Sequence, residues 1–400
     1  MPQVQEDDHG TKRIHDTEEL HRKQEVQVLR RNNSRSVGLR ALALLVFRPS
    51  RGCHVTRAWL AGACFALAAA GLSFAQTETK CTVSGQVVDS ETGTPLENVN
   101  LFLSHTTLGC ASGTDGRYRL TGIPRGEYEL VMSRVGYELQ TMRLDLLRGG
   151  SVNCDFRLRP KMLPAQEIQI EASEPEEWKH HLKTFLREFL GETDNAEYCT
   201  ILNPEVLDLR IDPGARILRA ATDSVLHVEN RALGYRIDIV LERFEHDPEE
   251  RRGTYVFYPK FEELLPANKE EAAAWSKNRR KSYTGSLKHF LHALVSGHMD
   301  NEMFAVYTGT LQDLLSGYGS YLFPDKLNVV PEEGGSAKRF SFWGWMRVDY
   351  MARIPPLSSL IRLKEPSAII DSLGNVLNPL CLEMSGHWAR NRVAELLPLY

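Results

Sequence analysis

The fold is decided by a stretch that begins Cys81-Thr82-Val83-Ser84-Gly85-Gln86-Val87-Val88-Asp89 and continues to Pro160. Val83 and Val87 point to one side of an extended chain and Gln86 points to the other, the period of two that a half-buried strand requires. The next residues are Ser90-Glu91-Thr92-Gly93-Thr94-Pro95, types that tolerate or preset the backbone angles of turns. A short strand followed at once by a turn is therefore the repeating unit of this stretch.

The same unit recurs up to Pro160. Asp115-Gly116 is a strong hairpin signal between two such runs. The later inward rows are Val99, Leu101 and Leu103, then Tyr118 and Leu120, then Tyr128, Leu130 and Met132, and finally Val152, Cys154, Phe156 and Leu158. Strands this short and evenly spaced, with no helical period among them, predict a small antiparallel β-sandwich over residues 81–160.

Five segments of this stretch resemble one protein family. They are Gly85-Gln86-Val87-Val88-Asp89, Thr92-Gly93-Thr94-Pro95-Leu96, Val99-Asn100-Leu101, Thr114-Asp115-Gly116-Arg117-Tyr118 and Ile123-Pro124-Arg125-Gly126-Glu127-Tyr128. Together they look like the carboxypeptidase-like regulatory domain, a prealbumin-like sandwich that is common in bacterial envelope proteins. The resemblance implies a non-catalytic module attached to very different partners, so it specifies the fold and leaves the function open.

The rest of the chain predicts a linker over 161–175 and a larger α+β domain over 176–400. Helical spacing that ends at Gly191 is shown by Trp178, Leu182, Phe185 and Phe189. A second helix is predicted over 272–295, and alternating runs predict strands over 217–221, 225–229, 235–244, 254–258, 340–351 and 367–371. The predicted fold is mostly β, with a prealbumin-like antiparallel β-sandwich followed by an α+β domain.

Residues 81–400 also resemble a set of uncharacterised envelope proteins in which the same sandwich precedes an α+β domain. The matching segments include Phe189-Leu190-Gly191-Glu192-Thr193, Cys199-Thr200-Ile201-Leu202-Asn203-Pro204-Glu205 and Tyr258-Pro259-Lys260-Phe261-Glu262-Glu263-Leu264. This second resemblance implies a place in the cell envelope and no particular activity.

The segment from Arg57 to Gln76 has the pattern of a secretory signal peptide. Ala58 to Leu72 carries no charge, and Ser73-Phe74-Ala75 places small residues at the −3 and −1 positions of a cleavage site. The apolar run is shorter than the ~20 residues that a spanning helix needs. We expect a signal peptide over 55–75 and an exported chain that begins at Gln76, either periplasmic or associated with the outer membrane or extracellular, with no membrane span.

Residues 1–54 precede the predicted signal peptide, where a signal peptide should begin the protein. They are polar, Arg-rich and aperiodic apart from residues 39–47, so they are predicted to be disordered. The alternative is that translation starts near Val55 and that these residues are not made. Lipid attachment at Cys64 is disfavoured because the cysteine falls inside the apolar run.

The net charge and the missing sequence motifs disfavour several classes of function. Of 48 Lys and Arg and 52 Asp and Glu, residues 1–57 hold 11 and 7, which leaves 37 and 45, or a net charge of about −8, for the rest. That balance offers no broad basic surface for nucleic acid. The sequence contains no GxSxG, P-loop or GxGxxG motif. The signatures of the α/β-hydrolase nucleophile elbow and of nucleotide-binding loops are therefore missing. No cofactor is expected.

A zinc peptidase is the enzyme hypothesis to test on residues. His246-Asp247-Pro248-Glu249 has the His-x-x-Glu spacing, and His387 would be a distant third ligand. Because the pair falls in a charged hairpin tip, an exposed turn is the favoured interpretation. A second group near one predicted helix lacks the HExxH pattern and favours surface or capping roles; it consists of His289, His292 and His298. No metal site is predicted.

Two tryptophans are the candidate ligand-binding residues. Trp343 and Trp345 share one side of the strand predicted over 340–351, and flat aromatic pairs suit stacking on sugar rings. Core packing of a two-sided strand explains the same pattern and is the favoured interpretation. A basic run fits either an anionic partner or a solvated helix face, of which the latter is favoured; it consists of Lys277, Arg279, Arg280 and Lys281.

Five cysteines follow residue 75, namely Cys81, Cys110, Cys154, Cys199 and Cys381. An exported chain permits disulfides, but the odd number leaves at least one thiol unpaired. Cys81 and Cys154 both share the inward parity of their strands, so a bridge between the first and last strands and a set of buried free thiols both fit the sequence.

The function predicted from the sequence is that of an exported, non-catalytic envelope protein that acts as a binding or assembly module. Its expected partner is an envelope protein or a polysaccharide. The alternatives are an envelope hydrolase acting on peptides or glycans, with its site in residues 176–400, and a polysaccharide-binding protein.

Overall fold

The structure is a computed structural model that describes residues 80–161 and 175–399, apart from residues 213, 215, 251, 334 and 335. The predicted leader, the predicted signal peptide and nearly all of the predicted linker lie outside the described residues. Within the described ranges, every helix is too short or too polar to cross a bilayer.

Residues 81–158 fold into two four-stranded sheets. The strands are β1 (Cys81–Asp89), β2 (Asn100–Leu103), β3 (Gly109–Ala111), β4 (Arg117–Ile123), β5 (Glu127–Ser133), β6 (Gln140–Asp145), β7 (Ser151–Asn153) and β8 (Phe156–Leu158). One sheet has the order β4-β1-β7 with β8 also paired to β1, and the other has the order β3-β2-β5-β6. Side chains from both sheets, including Val83, Leu101 and Leu130, form one hydrophobic core. The predicted β-sandwich is confirmed.

The end of the sandwich returns alongside its beginning. β7 and β8 run parallel to β1, with Val83 opposite Val152. Cys154 lies beside Gly85, four residues along β1 from Cys81, a separation of about 13 Å at the rise of a strand. A disulfide needs Cα atoms within about 7 Å of each other. The bridge between Cys81 and Cys154 therefore does not form, and all five cysteines of the described residues are free thiols.

A six-stranded antiparallel sheet follows the sandwich. Its strands are β9 (Cys199–Ile201), β10 (Asp208–Ile211), β11 (Leu218–Ala221), β12 (Leu226–Asn230), β13 (Tyr235–Asp247) and β14 (Arg252–Glu263). β13 is central, because it pairs with β11, β12 and β14. The helix predicted before this sheet is present as α1 (Pro175–Leu190). It packs Phe185 and Phe189 against Phe244 of β13, with ring centroids 4.7 and 6.2 Å away.

The remaining residues build a second α+β layer. Its helices are α2 (Lys269–Tyr283), α3 (Leu287–Ser296), α4 (Leu311–Leu315) and α5 (His387–Arg390). Its strands are β15 (Phe304–Gly309), β16 (Ser320–Leu322), β17 (Asn328–Pro331), β18 (Lys338–Ser341), β19 (Trp345–Tyr350), β20 (Leu357–Leu363), β21 (Ala368–Ile370) and β22 (Leu382–Gly386). They form a five-stranded sheet of order β16-β15-β19-β20-β22 and a three-stranded sheet of order β17-β18-β21. Phe290 and Leu294 of α3 share one core with both sheets.

Two predicted elements are divided in the structure. The helix predicted over 272–295 is α2 and α3, because Thr284 is extended, Gly285 has a φ of +82°, and Ser286 caps α3 by accepting from the His289 amide. The strand predicted over 340–351 is β18 and β19, which belong to different sheets. Gly344, with a φ of +74°, lies in the turn between them.

The sandwich is hydrogen-bonded to the rest of the chain through the loop after β2. The His105 amide donates to the Pro259 carbonyl at 2.7 Å, and the Phe261 amide donates to the Thr106 carbonyl at 2.8 Å, so this loop pairs with β14. The Leu399 amide also donates to the His105 carbonyl, at 2.8 Å. The loop therefore holds both the six-stranded sheet and the last described residues.

Candidate functional site

One face of the five-stranded sheet carries a row of aromatic side chains. Strand register places Tyr307 of β15 between Tyr321 of β16 and Arg347 of β19. Trp345 lies opposite Gly309, two residues along from that row, so all of these residues share one face because side chains alternate along a strand. The opposite face of the same sheet packs into the core formed with α3.

We define the aromatic face as Tyr307, Tyr321, Phe323, Trp343 and Trp345. The Tyr321 ring meets the Phe323 ring edge-on with centroids 5.0 Å apart, and it meets the Tyr307 ring with centroids 5.8 Å apart. The exposed fraction is 98% for Trp343 and 61% for Phe323. Phe323 and Trp343 extend the row at its two ends, Phe323 by contact with Tyr321 and Trp343 two residues before Trp345. Large apolar side chains that are this exposed mark interaction surfaces.

Two arginines each cover one ring of the aromatic face. The guanidinium carbon of Arg347 is 4.4 Å from the Tyr307 ring centroid, and that of Arg362 is 4.9 Å from the Trp345 ring centroid. Arg347 also pairs with Asp349 at 3.3 Å, and Arg362 pairs with Glu383. Each guanidinium is therefore matched by a carboxylate, and the aromatic face presents rings whose supporting charges are compensated.

The two predicted ligand-binding tryptophans have different environments. Trp345 begins β19 and is half-buried under Arg362. Trp343 lies in the turn before it, fully exposed, while Phe340 is buried and its ring centroid is 5.1 Å from that of Phe342. Core packing thus accounts for Phe340 and Phe342, and it does not account for Trp343.

The structure does not bring the candidate zinc ligands together. His246 is buried at the end of β13, where its Nδ1 is 3.7 Å from Glu188, so the expectation of an exposed turn is wrong for this residue. Burial lowers the pKa of His246, against the opposing effect of Glu188. Glu249 is exposed and lies 3.5 Å from Arg216. Across the described parts of the chain, no three His, Cys, Asp or Glu side chains are grouped so that they could hold a metal ion.

The histidines near α3 also have separate roles. His289 is buried, accepts from the Gly285 amide at 3.0 Å through Nδ1, and lies 3.0 Å from Glu302 through Nε2. It therefore stabilises the break between α2 and α3. His292 lies 3.5 Å from the Tyr283 hydroxyl, and His298 is exposed beyond the end of α3.

The predicted basic run divides between two cavities. Arg279 and Arg280 line a cavity of about 410 Å³ between α2, α3 and the last described residues. Lys281 lines a second cavity, of about 260 Å³. Lys277 lines neither and is exposed. Lys277, Arg280 and Lys281 are all exposed, as the interpretation of a solvated helix face expects, whereas Arg279 is half-buried.

The smaller cavity is organised around the Glu395 carboxylate. Asn195 donates to it at 3.0 Å, and the Ser282 hydroxyl also donates to it. His387 lines the same cavity, and its pKa is lowered by burial and by Arg390. A nucleophilic serine needs a general base within hydrogen-bond reach, most often an imidazole. Ser282 instead contacts a carboxylate and an amide, an arrangement that ties α2 to the segments on either side of it.

The larger cavity was not predicted as a site. Its basic and aromatic side chains come from β13, from α2 and from α3, and residues 397–399 close one side. The local signals are the basic run that contains Arg279 and Arg280, and the spacing of Lys288 and His292, four residues apart on one face of α3. The other contributions come from residues far apart in sequence, which no local pattern connects.

Comparison with known proteins assigns the sandwich. Residues 83–170 match the CarboxypepD_reg-like domain family. The matched range begins within β1 and includes every later strand of the sandwich, so the resemblance seen in the turn motifs is confirmed. The CarboxypepD_reg-like domain is thus the first of the parts that the structure describes. A comparison with curated proteins finds no match.

Similarity to solved structures is confined to parts of the chain. The group B streptococcus pilus 2b backbone protein is 20% identical over 20% of this chain and 40% of its own, with a TM-score of 0.18. The major pilin subunit BcpA of Bacillus cereus is 10% identical over 20% and 30%, also at 0.18. The 3-chlorocatechol 1,2-dioxygenase of Rhodococcus opacus is 16% identical over 21% and 61%, again at 0.18. TM-scores this low say nothing about the function of this chain.

Proposed function

We propose that this chain is an exported, non-catalytic envelope protein that binds neutral polysaccharide through its aromatic face. The observation that carries the proposal is the exposure of Trp343, at 98%, in the turn that leads to Trp345 and its row of rings on one sheet face. The CarboxypepD_reg-like domain at residues 83–170 then acts as a non-catalytic module joined to the part that binds.

The chemistry of the aromatic face favours sugar rings. An aromatic ring offers a flat apolar surface on which the C–H face of a sugar can stack, and the tyrosine hydroxyls offer hydrogen bonds at the rim. Since Arg347 and Arg362 are matched by Asp349 and Glu383, the surface carries little net charge. We therefore expect neutral polysaccharide to bind, with little dependence on salt concentration.

Affinity electrophoresis of the purified protein tests this proposal. Gels would contain dextran or glycol chitin as neutral polymers, or polygalacturonate as an acidic one. We expect at least one neutral polymer to retard the protein, Trp343→Ala to abolish the retardation, and Tyr198→Ala to leave it unchanged. Tyr198 is the matched control because it is also an exposed aromatic residue, at 61%, outside the aromatic face. Equal mobility of the wild type and Trp343→Ala in every gel would overturn the proposal.

Export is the second part of the proposal, and it follows from the segment between Arg57 and Gln76. The uncharged run and the small residues before Gln76 fit recognition and cleavage by a signal peptidase. Mass spectrometry of the protein from the envelope fraction of expressing cells would then find Gln76 at the amino terminus. An uncleaved chain confined to the cytosol would contradict export and would leave the polysaccharide test unaffected.

A further inference from the structure

The larger cavity, of about 410 Å³, collects basic and aromatic side chains from separate parts of the fold. We define the basic pocket by six of them, Tyr235, Arg279, Arg280, Tyr283, Lys288 and His292. Among the described residues that line the cavity, none is acidic. We propose that the basic pocket binds a small organic anion, through a phosphate or carboxylate group carried on a sugar-sized body.

Arg279 is held rigidly at the wall of the basic pocket. Its Nε donates to the Leu233 carbonyl at 2.7 Å, and its guanidinium lies over the Tyr235 ring, with the central carbon 4.0 Å from the ring centroid. Neighbouring Asn278 and Trp275 also donate to carbonyls of the same turn, at 2.9 and 2.8 Å. Because Nη1 also pairs with Glu263 at 3.3 Å, the charge of Arg279 is already matched, and this residue forms a fixed wall of the pocket.

Arg280 and Lys288 supply the charge that the protein leaves unmatched. Among the described residues, no side chain pairs with the Arg280 guanidinium. Lys288 is mostly buried, and its Nζ donates to the Pro398 carbonyl at 3.3 Å. Asp371 opposes the effect of burial on the pKa of Lys288, but its oxygens accept from Leu373 and Asn375 in its own turn. A buried ammonium with one neutral acceptor is costly for a fold and suits an anionic ligand.

The walls of the basic pocket limit what can enter. Tyr235 and Tyr283 add aromatic surface, and residues 397–399 close the other side. The turn at Gly374 packs tightly on α3, since a side chain there would meet the His292 amide nitrogen at 2.6 Å. Cavities of about 300 Å³ and above hold small organic ligands. An oxyanion on a ring-sized body fits this volume and leaves its ring against the aromatic walls.

Isothermal titration calorimetry at low salt tests the proposal with four probes: glucose 6-phosphate, glucuronate, inorganic phosphate and glucose. We expect the first two to bind and glucose not to bind. If neither organic anion binds more tightly than glucose, the proposal is wrong. Inorganic phosphate that binds as tightly as glucose 6-phosphate would contradict the role of the aromatic walls. The relative affinities of glucose 6-phosphate and glucuronate identify which acidic group the pocket takes.

Variants separate a binding role from a structural one. We expect Lys288→Met and Arg280→Gln each to weaken anion binding about tenfold or more, because each removes a charged hydrogen bond. Lys277→Met is the matched control, since it removes the same charge from an exposed position of α2 outside the cavity. An equal loss in Lys277→Met would overturn the proposal. Polysaccharide binding by the aromatic face is independent of these outcomes.

Discussion

Arg362 lies over the indole of Trp345, with its guanidinium carbon 4.9 Å from the ring centroid, and also pairs with Glu383 on the neighbouring strand. Arg362→Lys would keep a charge for Glu383 but remove the planar group that covers the indole. We expect the free energy of unfolding to fall by about 0.5–1 kcal/mol, measured by urea denaturation. Acrylamide should quench tryptophan fluorescence more strongly in the variant, and unchanged quenching would show that Arg362 does not cover Trp345.

Gly234 and Trp275 fix the position of α2. Gly234 has a φ of +71°, and a side chain there would lie 2.2 Å from the Trp275 indole. We expect Gly234→Ala to lower the unfolding free energy by about 2–4 kcal/mol, from backbone strain together with overpacking. Gly136→Ala is the control, because Gly136 has a φ of +82° with open space around it. Similar losses in the two variants, measured by urea denaturation, would show that the contact with Trp275 is unimportant.

Lys288 makes stability depend on pH in a defined direction. Burial lowers its pKa from 10.5 to about 8, with Asp371 opposing the shift. At this side chain the unfolded state is therefore more protonated than the folded state between about pH 8 and 10.5, so Lys288 contributes a rise of stability with pH in that window. We expect Lys288→Met to be more stable than the wild type at pH 7 and this difference to shrink between pH 8 and 10. Urea denaturation at several pH values measures both effects.

Other groups near Lys288 require a control for this comparison. The charged and titratable neighbours are Arg279, Arg280 and Tyr283 on α2, His292 on α3, Tyr235 on β13, His105 in the sandwich loop and Asp371 in the turn after β21. Burial raises the pKa of both tyrosines and lowers that of His105 to about 4. These three groups therefore do not account for a change in stability between pH 8 and 10. Lys277→Met should reproduce the wild-type pH profile; if Lys288→Met does so too, the pKa of Lys288 is not lowered.

The sandwich and the helix before the six-stranded sheet were predictable because their signals are local. Alternation with turn residues between runs specifies strands such as β1, and Phe185 and Phe189 recur at helical spacing. The break between α2 and α3 was missed, since a glycine and a serine inside a helical pattern are tolerated as well as disruptive. Tertiary contacts determine the break at this position, because the Trp388 indole donates to the Gly285 carbonyl at 2.8 Å and His289 accepts from the Gly285 amide.

The candidate sites, too, were predictable only where their signals are local in sequence. Trp343 and Trp345 were identifiable because aromatic residues close together in sequence are visible without a structure. Their environments were not predictable, since the turn at Gly344 sends the chain from one sheet to another. The basic pocket combines Tyr235, Lys288 and residues 397–399, which only the packing of three segments brings together.

The cysteines give a prediction about reactivity. Burial raises the pKa of Cys199 to about 12 and that of Cys381 to about 11, and it also raises the pKa of Cys110 and Cys154. Because the thiolate is the reactive form, we expect native residues 76–400 to react slowly with Ellman's reagent at pH 8. In denaturant without reductant, five thiols should react, since all five cysteines are free. A count of three or fewer would show that a disulfide forms.

The measurement that tests the central claim most directly is an equilibrium titration of the purified protein with the neutral polysaccharide that retards it in affinity gels. Trp343 is 98% exposed, so Trp343→Ala should leave the unfolding free energy within about 0.5 kcal/mol of the wild type. Its affinity should nevertheless fall by about tenfold or more, as expected for an aromatic anchor at an interface. Tyr198→Ala should bind like the wild type. Unchanged affinity in the folded Trp343→Ala variant would contradict the claim that the aromatic face binds polysaccharide.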